Sequence, residues 1–379
     1  MTTADAIKPA IAARVRSAEA ALLDLSHRIH AHPELAFEET RASGWVADAL
    51  AAGGFTVEHG CYGLPTAVRA TAGSGPVHVV VCAEYDALPG MGHACGHNII
   101  AAAAVGAGLA LAPVADDLGL TVTVLGTPAE EGGGGKVLMI DRGAFDGKHA
   151  AMMVHPAAHE AAALRGSAVS VFDVEFRGRP AHAGAHPEQG VNAADAMTIA
   201  QVAIGLLRQQ TGDGERIQGI VTDGGLAPNI IPDRNTGNWI VRAGSVDALA
   251  ALKERVLRCF EAGAVGSGCE VTVRPSCPDY ADLVHDQEMV ALYRRNAEAL
   301  GRRFPGPDEE PMVGAATDMG NVSHRVPSIH PMLGLDCLPA VNHQPEFAAA
   351  CVTPAADRAV VDGAVAMAWT AADLGGLRS

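Results

Sequence analysis

Residues 77–111 constrain the fold more than any other part of the chain. The run Val77-His78-Val79-Val80-Val81-Cys82 is almost continuously apolar, as in a strand buried on both faces. It leads into residues 83–98, which gather Glu84, Asp86, His93, Cys95 and His97, and then into an Ala-rich stretch from Ile99 with helical character. Acidic, imidazole and thiol groups at the end of a buried strand are costly unless something neutralises or ligates them. The segment therefore reads as half of a metal site, with the other half to be found elsewhere in the chain.

Strands and helices alternate on both sides of it. Helices are expected over about 10–30, 40–52, 99–111 and 137–142, with strands over 55–58, 66–70, 77–82, 120–125 and 150–154. Gly53-Gly54 stops the second helix, and His30, His32 and Pro33 follow the first. Such alternation, with polar groups at strand ends, predicts an α/β sheet whose site lies beyond those ends. From Gly166 the pattern changes to strand 169–176, helix 192–208, strands 216–221 and 238–241, helix 246–262 and strand 270–273. That β-α-β-β-α-β order predicts a ferredoxin-like α+β unit. Beyond about 282, helices over 285–300 and 354–374 restore the α/β character. The expected organisation is a discontinuous catalytic domain, 1–165 and 282–379, interrupted by an inserted domain, 166–281.

With 379 residues, 49% hydrophobic and 18% charged, the chain can bury two sizeable cores. The formal net charge of -16 opposes nucleic acid, whose phosphates need a basic face. The eight cysteines are scattered without a Cys-x-x-Cys pair, which fits a reduced compartment better than a disulfide framework. The N-terminal pattern lacks the apolar core of a signal peptide, and no apolar run is expected to be long enough and uncharged enough to span a membrane. The cytoplasm is the expected location, with no membrane partner.

Three further places offer metal donors. Glu130-Glu131 follows an apolar strand and precedes four glycines. On one extended backbone the pair would point to opposite sides, one carboxylate toward a metal and the other toward substrate as a base. His155 stands at the next strand end, where Pro156 is expected to keep the strand from simply continuing in a sheet centre. His343 sits in the polar run Asn342-His343-Gln344-Pro345. Taken singly, Cys95, His155 and His343 are equally compatible with structural roles, and His27, His30 and His32 read as helix-end residues. His182 and His186 either reach over a site or are loop histidines. Nucleotide motifs fail: Gly90-Met91-Gly92-His93-Ala94-Cys95 lacks the third glycine, and Gly135-Lys136 lacks the upstream glycine and the following Ser or Thr. His155-Pro156-Ala157-Ala158-His159 lacks the glutamate of the metalloprotease helix.

Together these stretches resemble the metal-dependent amidohydrolase family of aminoacylases, glutamate carboxypeptidases and auxin-conjugate hydrolases. Gly92-His93-Ala94-Cys95-Gly96-His97-Asn98 is the most specific motif, followed by Pro128-Ala129-Glu130-Glu131-Gly132-Gly133. Gly178-Arg179-Pro180-Ala181-His182-Ala183 and residues 227–234 are similar to the family's lid domain. The Cys-Gly-His form and residues 317–323 resemble the aminobenzoyl-glutamate hydrolase and dipeptidase-like branch. The resemblance implies that Cys95, His97, Glu131, His155 and His343 ligate two divalent metal ions, zinc or manganese before cobalt or nickel. It implies that Glu130 is the base, that His182 stabilises an oxyanion across a homodimer interface, and that Asn229 contacts substrate. Glu84-Tyr85-Asp86 stands where many relatives carry His-x-Asp, so Asp86 is expected to orient a ligand, while Glu84 and His93 are unassigned. The expected activity is hydrolysis of an amide bond in an N-acyl amino acid or dipeptide-like molecule. Metal-activated water attacks and Glu130 moves the proton. The alternative is a metal-stabilised small-ligand binding protein without turnover.

Overall fold

The computed structural model describes residues 3–306 and 315–378, and the chain divides into two compact units. The first runs to Arg165 and resumes at Leu283; the second comprises Gly166–Asp282 with Ala315 and Ala316.

The first unit opens with α1 (Thr3–Ala31), α2 (Thr40–Ala52), β1 (Thr56–His59), β2 (Val68–Ala72) and β3 (Val77–Ala83). It continues through α3 (His97–Leu111), β4 (Leu120–Gly126), α4 (Gly135–Asp141), β5 (Ala150–Met152) and β6 (His155–Ala157). Helix α1 begins well before the expected position 10. It tolerates Pro9, which removes one helical hydrogen bond, because Ile11, Val15, Leu22, Leu25 and Ile29 bury a continuous apolar stripe.

The second unit contains β7 (Ala168–Arg177), α5 (Ala193–Leu207), β8 (Arg216–Asp223), β9 (Arg234–Ala243), α6 (Val246–Ser267) and β10 (Glu270–Pro275). Its antiparallel sheet has the order β10-β7-β9-β8. Asn192 and Ser245 cap the two helices through their side chains, and Phe172, Phe176, Trp239 and Phe260 centre a separate core. The chain then returns to the first unit with α7 (Gln287–Ala299), α8 (Met319–Ser323), β11 (Ser328–Ile329), β12 (Met332–Gly334), α9 (Pro345–Ala350) and α10 (Pro354–Arg378).

In the first unit a mixed sheet has the order β1-β2-β4-β3-β5-β11, with β4, β3, β5 and β11 parallel. Alternate residues of β3 serve different cores: Val79, Val81 and Ala83 face the α1, α3 and α10 side, while Val80 and Cys82 join Met139, Phe145 and Met319. Burial on both faces explains why β3 and β4 read as continuous apolar runs.

One expectation fails here. The segment His97–Val114 has a mean hydropathy of 1.6 and is long and apolar enough to cross a membrane. It is a core helix of this unit, with 83% of the segment buried, because its Ala and Gly residues admit α1, α10 and β3 at close range. Pro156, as expected, does not continue the central sheet. It lies within β6, which pairs in parallel with β12 as a separate two-stranded sheet. Each of those strands has an open side where a missing N–H does no harm.

Gly135 starts α4 against the preceding turn, and a Cβ there would lie 1.8 Å from the Pro128 carbonyl oxygen. Gly135→Ala is expected to cost about 1–3 kcal/mol of stability by forcing that turn apart. Denaturant unfolding should show this as a lowered midpoint with little change in m.

Candidate functional site

Strands β3, β4 and β5 end on the same edge of the sheet, and the reactive side chains follow directly from those ends. Glu84 and Asp86 leave β3 fully buried, with Tyr85 between them donating to the Thr66 carbonyl. Asp86 uses both oxygens: Oδ1 lies 3.1 Å from His97 Nδ1, and Oδ2 accepts from the Glu131 backbone N–H at 2.9 Å. It thus orients His97 and fixes the acidic turn in one contact set.

His97 is the first residue of α3, two positions earlier than the expected start, and follows Gly96 in the left-handed conformation (φ 77°). With Nδ1 engaged by Asp86, its Nε2 faces inward. There it meets Glu84 Oε2 at 3.5 Å, Glu130 Oε2 at 3.8 Å and Glu131 Oε1 at 3.8 Å. The two adjacent glutamates therefore do not point to opposite sides. They occupy a turn, not an extended strand, because Ala129 takes a positive φ of 59° and the glycines beyond reverse the chain. The Ala129 N–H is held at 2.8 Å by Glu39, a buried carboxylate that also accepts from Phe37 N and Thr66 Oγ1.

His155 enters β6 with its N–H on the Pro331 carbonyl and its Nδ1 on the Pro156 carbonyl at 2.8 Å. Its Nε2 is thereby directed to Cys95 Sγ, 3.5 Å away. The loop bearing His343 is tied to the cysteine segment by His343 N–H to the Ala94 carbonyl (2.8 Å), and Asn342 Nδ2 donates to the Pro156 carbonyl. His343 Nε2 then lies 3.5 Å from Glu131 Oε1.

Cys95, His97, Glu130, Glu131, His155 and His343 are thus brought together from distant places in the sequence. Donor atoms form three overlapping groups: Cys95, His97 and His155; Cys95, Glu131 and His343; Glu84, His97 and Glu130. Two donors sharing one ion at about 2.0–2.3 Å stand about 3.3–3.8 Å apart in tetrahedral geometry, the range of separations found here. His97 Nε2, Glu84 Oε2 and Glu131 Oε1 are buried without a hydrogen-bond partner, as expected of atoms awaiting a cation. The donor set of imidazole, thiolate and carboxylate fits a divalent transition metal.

The electrostatics agree. Burial, reinforced by Glu131, pushes the Cys95 thiol well above its usual range. Burial opposes a charge on His97, yet Asp86 and neighbouring acids hold its pKa well above normal. Burial brings His155 down to about 4, leaving it neutral. Burial, Glu84, Glu131 and Asp318 raise Glu130 well above an ordinary carboxylate, whereas His343 and His97 hold Glu131 below its usual value despite burial.

His182 and Asn229 lie in the second unit, exposed and adjacent: His182 bridges Ile230, and the Ala183 N–H donates to the Asn229 carbonyl. His182 Nδ1 accepts from the Gly184 and Ala185 N–H groups, which leaves the proton of a neutral ring on Nε2. His186 is exposed, 3.7 Å from Glu188. Sequence reasoning passed over Lys136 and Asp318, both fully buried and paired with each other beside Glu84, and His330, whose ring lies 5.3 Å from that of His155. Lys136 was visible only as part of a failed phosphate-loop pattern. A lysine directly behind an acidic turn was the signal available.

A family model described as Peptidase family M20/M25/M40 matches residues 80–359. The chain is 38% identical to Xaa-Arg dipeptidase of Mus musculus, covering 97% of this chain and 89% of that relative. It is 30% identical to one chain of the p-aminobenzoyl-glutamate hydrolase of Escherichia coli, covering 68% and 58%. Among solved structures, a dinuclear metal binding peptidase from the M20 family of Bacillus subtilis superposes with a TM-score of 0.71 at 20% identity, covering 95% and 99%. An aminobenzoyl-glutamate utilization protein from Klebsiella pneumoniae does so with 0.71 at 20%, covering 92% and 96%. Fold, site and relatives define a hydrolase of the peptidase and amidohydrolase class. The chain belongs to peptidase family M20/M25/M40.

A metal ion held by His97 and Cys95 would have to displace the protons they otherwise hold, because both pKa values lie above normal. Affinity for Zn²⁺ is therefore expected to strengthen as pH rises through neutrality and to weaken as it falls. Calorimetric titration in buffers of different ionisation enthalpy should detect proton release; binding with none released would contradict the assignment.

Proposed function

We propose that this protein is a binuclear metal-dependent amidase acting on dipeptides or N-acyl amino acids. The observation that carries the reading is the convergence of Cys95, His97, Glu131, His155 and His343, with Glu130 beside them. In this reading those five residues hold two divalent ions, zinc or manganese. Bound there, such ions supply Lewis acidity toward a carbonyl and acidify water. The protein's own groups do the rest. Asp86 keeps His97 in one tautomer and holds the Glu131 backbone, so the donors stay in place as charge develops. Glu130 Oε2 takes the proton of the attacking water and returns it to the leaving amine. Its raised pKa suits it to hold that proton between the two transfers.

The named activities of the relatives, dipeptidase and aminobenzoyl-glutamate hydrolysis, support an amide flanked by an amino-acid carboxylate. Eight free cysteines support a reduced, cytoplasmic setting. A panel of dipeptides (including ones ending in arginine), N-acetyl amino acids and aminobenzoyl-glutamate, run on metal-free protein with each metal restored, tests the reading. Glu130→Gln should retain both metals and lose about 10²–10⁴-fold in kcat. Metal-dependent folding with no cleavage anywhere in the panel would instead favour a non-catalytic binding protein.

We further propose a homodimer formed through the second unit. Its edge strand β8 exposes Ile220 and Val221, and α5 exposes Val202 and Leu206. In this arrangement His182 Nε2 donates to the developing oxyanion in the partner's site, and Asn229 contacts substrate beside it. Light scattering should report a dimer, and His182→Ala should lower kcat by about 10²–10³-fold, as loss of one oxyanion donor does elsewhere. A fully active monomer would remove the role across the interface.

A further inference from the structure

Glu84, Lys136 and Asp318 form a charged cluster in the interior of the first unit, each side chain fully buried. Lys136 is gripped twice by Asp318: its ammonium lies 2.7 Å from Oδ1, and its backbone N–H donates to Oδ2 at 2.8 Å. The same ammonium is bonded to Glu84 Oε1. Burial alone would lower the Lys136 pKa, but Asp318, Glu84 and Glu130 carry it well above its usual value, so the cation is held firmly. One cation facing two carboxylates leaves the cluster short of positive charge, and an uncompensated buried charge is strongly destabilising.

The shortfall has a direction. Glu84 Oε2 is buried with no hydrogen-bond partner and faces His97 Nε2, itself without a partner, at 3.5 Å. His97 Nδ1 is already engaged by Asp86, so in the neutral ring both facing atoms present lone pairs. Two acceptors directed at one another need a cation between them: the proton of His97 when no metal is bound, and a metal ion when that proton is displaced. Their separation is that of two donors sharing an ion at about 2.1 Å.

We infer that Glu84 Oε2 is an additional donor to the metal ion bound by His97, and that Lys136, braced by Asp318, is the positioning residue that aims it. This rests on the binuclear reading and adds a donor to its five residues. Lys136 has a second consequence. By drawing charge from Oε1 it makes Glu84 a weaker donor than a free carboxylate, so the ion retains more of its Lewis acidity.

The probe is Co²⁺ added to metal-free full-length protein, followed by bound-metal analysis, calorimetry and visible absorption, with no substrate present. The wild type should bind two ions. Glu84→Gln keeps an oxygen for Lys136 and leaves Lys136 paired with Asp318. It should weaken one of the two ions by about tenfold or more and change the visible spectrum of that ion. Lys136→Met should weaken the same ion by about 10–100-fold, as loss of a ligand's supporting contact commonly does, and Lys136→Arg should recover part of the loss. If Glu84→Gln does not fold, Glu84→Asp is read in its place, since it keeps the charge but withdraws the oxygen. Two ions bound with wild-type affinity and an unchanged spectrum in the folded Glu84 variant would overturn the inference. A wild-type protein that takes up fewer than two ions would instead overturn the binuclear reading.

Discussion

Two of the site's donors, His97 and Glu131, are held through Asp86. It is a buried carboxylate with one oxygen on His97 Nδ1 and the other on the Glu131 backbone N–H. One residue at the end of β3 therefore sets the tautomer of a histidine on α3 and the position of an acidic turn that follows β4. Its pKa stays below normal despite burial because of His97, so it remains an acceptor at both contacts. Without it, His97 could rotate and the Glu130–Glu131 turn would lose the bond joining it to the neighbouring strand end.

The sheet makes this arrangement possible. Parallel pairing of β3 with β4 and with β5 brings three strand ends to one edge, and Thr127 N–H to the Ala83 carbonyl extends the β3–β4 register beyond the strands. The cores on either side of β3 are packed with small and branched side chains, which hold the strand ends rigidly while the polar groups emerge from them. Charge is then only partly balanced locally. Lys136 and Asp318 occupy the rear of the site, His155 is neutral, and the remaining unpartnered atoms face one another.

Much of this is legible in the chain. Helix α2 lies where expected, at Thr40–Ala52, because Gly53-Gly54 gives an unambiguous stop. The motif around Cys95 and His97 and the pair Glu130-Glu131 mark the first unit's chemistry. What misleads is local geometry. Two adjacent glutamates look like opposite faces of a strand until a non-glycine residue, Ala129, takes a left-handed backbone and turns both inward. Pro156 does keep its strand out of a sheet centre, but the partner that strand takes, β12, lies over 170 residues further along the chain. Helix α3 proves long and apolar enough to span a membrane, yet hydropathy cannot distinguish lipid from a surrounding α1 and α10.

By itself the sequence determined the donor chemistry, the alternation that builds an α/β sheet and the β-α-β-β-α-β order of the second unit. These follow from short-range periodicity and from residue types whose reactivity does not depend on context. Only the tertiary structure decided which donors meet, which atom of each faces inward, and that Lys136 and Asp318 stand behind Glu84. Those depend on hydrogen bonds between residues far apart in the chain, such as the 182 positions between Lys136 and Asp318. They depend also on burial, which makes each unpaired polar atom too costly to leave without a counterpart.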